Sequence, residues 1–145
     1  AMVRAYYALV EENVKRFQPD IVGHFDLIVK NNAGGRFFDE TSSAYRAAAL
    51  HALHACIKAG CIVEVNTGGV YRGYREDFYP AAFLLEELAR LGGKVTLNAD
   101  AHNADGLCFG FDAALAQMKA AGIREVWMPK GNGFISKSLE HLPSR

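Results

Sequence analysis

The stretch KVTLNADAHNADG, Lys94 to Gly106, places a carboxylate and an imidazole two residues apart, Asp100 and His102, directly after the strand-like run Val95, Thr96 and Leu97. A carboxylate oxygen and a neutral imidazole nitrogen at that spacing can both bind one divalent cation. Oxygen with nitrogen suits zinc, manganese or iron better than calcium. A lone D-x-H arises often by chance, but here it has company. His24 lies in IVGHFDLIV and Glu64 in CIVEVN, each toward the end of an apolar run. Two plainer readings stand beside this one: Glu64 as a buried acid paired to Arg72 or Arg75, and His24 as a core histidine bonded to a backbone carbonyl.

Between these runs, NTGGVYRGYR offers Gly68 and Gly69, whose backbone can approach a ligand closely, and two arginines, Arg72 and Arg75. A guanidinium grips phosphate or carboxylate in a fork, so beside a cation site the loop points to a phosphate ester. It does not match the P-loop pattern, which disfavours nucleoside triphosphates. His51 and His54 fall on the polar side of a helix with Lys58 one turn on and read as solvated; His141 lies in the tail and reads as exposed.

The elements that must position these groups alternate. Residues 3–17 read as a helix ended by Pro19, and Ile21 to Val29 as a strand; Asn31 to Gly35 is a loop. A second helix begins near Asp39 to Ser43, carries Tyr45, Ala48, Ala49, Ala52, Leu53 and Cys56 at helical spacing, and stops at Gly60. Cys61 to Asn66 is a strand, and TGGVYRGYREDF a long polar loop. Tyr79-Pro80 opens a helix with Glu86, Glu87 and Arg90 on one face, ended by Gly92 and Gly93. Lys94 to Asn98 is a strand. A helix with Phe111, Ala114, Leu115 and Met118 on one face ends at Gly122, and Glu125 to Pro129 is the last strand. The tail from Lys130 holds at most a short turn.

The order α-β-α-β-α-β-α-β means parallel β/α units. Alternation then puts Val22, His24 and Asp26 on one strand face, Ile62, Glu64 and Asn66 on the next, and Thr96, Asn98 and Asp100 on the third. Ligands bind at the C-terminal ends of such strands.

At 145 residues, half of them hydrophobic, the chain has the size of one domain with a sizeable core. Lys plus Arg equals Asp plus Glu at 16 each, so no net field points to nucleic acid or an anionic membrane. No apolar run approaches a membrane span, and no secretory signal is visible. Of the three cysteines, Cys56 and Cys61 read as buried free thiols in a reducing cytoplasm, and the spacing with Cys108 fits neither a zinc knuckle nor a redox pair. Ala1-Met2 reads as one extra residue ahead of an initiator at Met2.

In series, DIVGHFDLI, EVNTGGVYRGYREDFYP, TLNADAH and the closing β/α unit resemble the C-terminal half of the PHP (polymerase and histidinol phosphatase) family, most closely its histidinol-phosphate phosphatase branch. The resemblance runs from about Asp20 to about Gly131. It implies part of a distorted (β/α)7 TIM-like barrel with a cluster of divalent metal ions at the C-terminal strand ends. His24, Asp100 and His102 would be metal ligands, Arg72 would grip the substrate phosphate, and Glu64 and Asn66 would line the pocket. The implied reaction is metal-assisted hydrolysis of a phosphorylated small molecule, histidinol phosphate, in histidine biosynthesis in the cytoplasm. NADAH stands where GSDAH-like sequences are usual. The family's opening H-x-H strand has no counterpart among the five histidines. This implies a partial barrel, weakly active or inactive alone. Its two exposed edges, IVGHFDLIV and EVWMP, would drive a homodimer. Another phosphoesterase, acting on a nucleotide or sugar phosphate, and a non-catalytic assembly module are the alternatives.

Overall fold

A computed structural model describes residues 1–141, the last of them by its backbone only. Helix α1, Met2–Phe17, ends where Gln18 turns left-handed (φ 45) ahead of Pro19. Tyr7 and Val14 are its fully buried residues. Helix α2, Ser43–Lys58, is capped by the Ser42 hydroxyl, which accepts from the Tyr45 amide at 3.3 Å. Its buried face is Tyr45, Ala49, Ala52, Leu53 and Cys56, the stripe its spacing predicts. Helix α4, Ala82–Arg90, buries Leu84, Leu85 and Leu88, and helix α5, Phe111–Ala120, buries Ala114 and Met118. These faces join one hydrophobic cluster with Val63, Val65 and Val95 from the sheet between them.

The sheet is parallel and three-stranded in the order β1 (Ile21–Val22), β2 (Ile62–Asn66), β3 (Lys94–Asn98). β2 is buried along its whole length, as a central strand under helices must be. The register pairs Glu64 with Thr96 and Asn66 with Asn98, so the polar ends of β2 and β3 lie side by side.

Three expectations are corrected. The strand predicted from Ile21 to Val29 stops at Val22. Gly23 follows, His24 adopts a left-handed backbone (φ 52), and Leu27–Val29 forms a 3-10 turn. His24 and Asp26 therefore do not share a strand face, and Asp26 points into the core. The tail beyond Lys130 is not a turn. β5 (Gly133–Ser138) folds back antiparallel on β4 (Glu125–Lys130), with Lys130 opposite Gly133 across a two-residue link. The EVWMP strand is thus paired along its length rather than left as an open edge. It forms a separate two-stranded sheet beside β3, where Lys94 lies over the Trp127 ring at 4.7 Å. Finally, the Gly-rich loop opens with a single helical turn, α3 (Gly68–Tyr71). No helix among the described residues is long and apolar enough to cross a membrane.

Candidate functional site

The parallel strands deliver their polar residues to one place. His24 stands two residues past β1 and Asp100 two residues past β3. Both have left-handed backbones, at φ 52 and φ 49. The Tyr6 hydroxyl of α1 shares its proton between the carbonyls of His24 (3.2 Å) and Phe25 (3.0 Å), which fixes the turn that presents the imidazole.

Glu64, in β2, ties this turn to β3. Its Oε2 accepts the His24 backbone N–H at 2.8 Å, and its Oε1 accepts from Asn98 Nδ2 at 3.0 Å. Neither arginine pairs with it, so the reading of Glu64 as an arginine-bound acid does not hold. His24 is likewise not a core histidine: its side chain is 36% exposed and lies between two carboxylates. Nδ1 is 3.5 Å from Glu64 Oε2 and Nε2 is 3.4 Å from Asp100 Oδ2.

Asp100 has a second partner. Arg72, just after α3, donates from Nη2 to Asp100 Oδ2 at 2.8 Å and from Nη1 to the Asp100 carbonyl at 2.9 Å. His102 Nδ1 lies 2.8 Å from that same carbonyl and 3.3 Å from Arg72 Nη1. Burial pushes the Asp100 carboxyl up. The Arg72 hydrogen bond and charge, followed by those of His24, outweigh it and hold the group below the ordinary carboxylate value.

The bed for the guanidinium is Gly68. A Cβ built there would lie 2.5 Å from the Ala99 carbonyl, 2.8 Å from Arg72 Nη2 and 3.0 Å from Nη1. The glycine pair therefore serves a close approach, but to Arg72 and, at Gly69, to the Tyr79 ring. Asn66 is fully buried. Its Oδ1 accepts the Gly68 amide at 2.9 Å, while its Nδ2 and the hydroxyls of Thr67 and Tyr79 have no hydrogen-bond partner among the described residues.

His24, Glu64, Arg72, Asp100 and His102 thus form one contiguous chain of contacts, with Asn66 buried behind it. Arg75 is elsewhere, forked onto Glu40 at 2.9 and 2.8 Å and bonded to the Val29 carbonyl. His51 and His54 are exposed as expected, yet each reaches a glutamate on a neighbouring helix: Glu11 at 3.2 Å and Glu87 at 2.5 Å. The exposure of His141 lies outside the described side chains. Sequence reasoning missed Tyr6 and the role of Gly68. Tyr6 gave no signal beyond helical spacing, whereas a Gly-Gly pair directly after a strand is a signal of close backbone approach.

Neighbouring donors on a tetrahedral ion with bonds of about 2.0–2.2 Å lie about 3.3–3.6 Å apart. His24 Nε2 and Asp100 Oδ2 have that separation and the donor chemistry that suits zinc, manganese or iron. That spacing is equally that of a direct imidazole–carboxylate contact. Among the described residues no group of three or more His, Cys, Asp and Glu side chains is arranged to hold one.

Two curated proteins resemble the chain. It is 33% identical over 125 residues to a probable histidinol-phosphatase of Deinococcus radiodurans, covering 86% of this chain and 45% of that protein. It is 26% identical over 140 residues to a probable histidinol-phosphatase of Schizosaccharomyces pombe, covering 92% of this chain and again 45% of the relative. The chain spans less than half the length of both. No family model matches it.

Proposed function

We propose that this chain carries part of the active site of a metal-dependent phosphomonoesterase of the histidinol-phosphate phosphatase type, on part of a distorted (β/α)7 barrel of the PHP family. The observation that carries the proposal is the approach of His24 Nε2 and Arg72 Nη2 to one oxygen of Asp100 at the C-terminal ends of parallel strands. The similarity to two probable histidinol-phosphatases supports it.

His24, Asp100 and His102 would hold the divalent cation. The cation would supply an activated water and positive charge for the phosphoryl oxygens. Arg72 would neutralise the phosphate dianion by its fork. Glu64 keeps the His24 turn in place at the substrate side, and Asn66, fully buried beneath it, supports the Gly68 turn through its Oδ1. An H-x-H pair is absent from the 145 residues, so the chain alone has too few ligands for a full cluster.

The test is hydrolysis of histidinol phosphate by the purified chain with added zinc, manganese or iron. The expected turnover is below the ordinary enzyme range of about 1–1000 per second, and lower again in His24→Asn. A turnover within that range would overturn the partial-site reading. The lack of a three-donor group favours a second reading, a non-catalytic assembly module. Metal content of the purified chain together with histidinol-phosphate hydrolysis that His24→Asn abolishes would exclude it.

The same reading includes a twofold homodimer. β1 is a two-residue edge strand, and Leu107 and Phe109, in the segment between β3 and α5, are exposed apolar side chains. Light scattering that shows a monomer at micromolar concentration would defeat it.

A further inference from the structure

The two sheets meet without a backbone hydrogen bond. β3 and β4 lie in contact, yet β3 pairs with β2 and β4 with β5. Ladder bonds hold neighbouring strands about 4.8 Å apart, and a seam without them is free to widen. Helix α5 covers this seam unevenly. Ala114 and Met118 are fully buried, while Phe111 and Leu115 on the same face are only partly so. What results is an open groove of about 690 Å3 beside the first turns of α5, lined also by Leu97 of β3 and by Val126 and Met128 of β4. It lies on the helix side of β3, because Leu97 alternates with Asn98, whose amide bonds Glu64. The groove is therefore distinct from the strand-end cluster.

Its volume and lining are those of a small-molecule site, with mostly apolar walls and few polar groups. One charged side chain lines it, Asp112, and no cationic side chain does. No ion pair among the described residues includes Asp112. Its place in the first turn of α5 favours the helix dipole. That accounts for an acid on the helix and leaves its charge unmatched at the groove. We propose that the groove binds a small amphipathic amine, its hydrocarbon body against Leu97, Leu115 and Met128 and its ammonium at Asp112. Charge complementarity selects this occupant. A lone carboxylate beside apolar walls repels an apolar anion and adds nothing for a neutral hydrocarbon.

Cys108 serves as the reporter, since it lines the groove and is exposed. Cys56 and Cys61 are buried, and burial pushes the Cys56 thiol up to about 12, so neither competes for an alkylating reagent. Alkylation of the whole chain by iodoacetamide, a neutral reagent, is followed at constant pH with rising hexylamine, hexan-1-ol or hexanoate. Hexylamine should protect Cys108 at concentrations about threefold to fivefold lower than hexanol, the scale of a partly exposed ion pair. Hexanoate should protect least. Asp112→Asn should bring amine and alcohol together, and Ala113→Phe should fill the groove and remove protection by both. Both positions are exposed, so neither change disturbs the core. Equal protection by amine and alcohol in wild type would overturn the choice of an amine. No protection by any of the three would overturn the site. Alkylation that slows with protein concentration alone would mean that a second copy covers the groove, and would overturn the small-molecule assignment.

Discussion

Two aspartates of this chain show how surroundings set the use of one side chain. Asp26 is fully buried and makes no ion pair among the described residues. Its oxygens accept from the hydroxyl of Tyr7, from that of Tyr45 at 3.0 and 2.9 Å, and from the Ala81 amide at 3.2 Å. Burial drives its pKa up to about 6 against the pull of those donors. Asp100 is a third exposed, has a guanidinium and an imidazole beside it, and lies below the ordinary value. The first ties α1, α2 and the lead into α4 together with neutral donors. The second is held at the partly exposed strand ends by charged and titratable groups. Between them runs one short turn, in which His24 faces Asp100 and Asp26 faces the core.

The largest effect should come from Asp26→Ala. It leaves two buried hydroxyls and an amide without their acceptor, and should cost about 3–5 kcal/mol in urea unfolding. Asp100→Asn should cost less than about 1 kcal/mol, because a partly exposed pair contributes little. Equal losses would erase the contrast.

The two groups should also respond to pH in opposite directions. The folded pKa of Asp26 lies above its unfolded value, so the unfolded chain releases this proton first. Its contribution is present below about pH 4 and is lost as pH rises toward 6, by about 3 kcal/mol in all. Asp100 has a lowered folded pKa, so its contribution is present above the ordinary value and is lost on acidification. Unfolding free energies of wild type and Asp26→Asn between pH 4 and 7 should differ in slope across that window. Parallel curves would mean that Asp26 does not titrate in it.

Gly68→Ala should cost about 1–3 kcal/mol, since the new Cβ meets the Ala99 carbonyl at 2.5 Å and the Arg72 guanidinium. It should also release Arg72 from Asp100, which a crystal structure of the variant would show. The smallest effect belongs to the surface. Glu87 is drawn down to about 2 by Arg90, then by His54, yet Glu87→Gln should change stability by less than about 1 kcal/mol, and less again in high salt.

How far the sequence revealed these features depended on how local their causes are. α2, β2, β3 and α5 follow from hydrophobic spacing, and the stripe on α2 was right residue for residue apart from Ala48, which is only partly buried. D-x-H after β3, with His24 and Arg72, was legible because strand ends converge in parallel sheets. Asp26 was not. The alternation of IVGHFDLIV imitates a strand, and the partners that pull Asp26 inward, Tyr7 and Tyr45, lie nineteen residues away on either side. β5 was missed because GFISKS is weakly apolar, although Gly131-Asn132 between two runs is the turn signal of a two-residue hairpin. The histidine–glutamate pairs join helices far apart in sequence, which no single-helix pattern can show.

The left-handed backbones of His24 and Asp100 carry a consequence for anyone who evolves this protein in the laboratory. A side chain in that conformation costs about 1–2 kcal/mol that glycine does not. A library selected for heat resistance alone will therefore drift toward glycine at both positions, and toward asparagine at position 24. It will trade the His24–Asp100 contact for stability while the fold improves. Only a selection that also demands the chemistry will keep a histidine and an aspartate where the chain would be more comfortable without them.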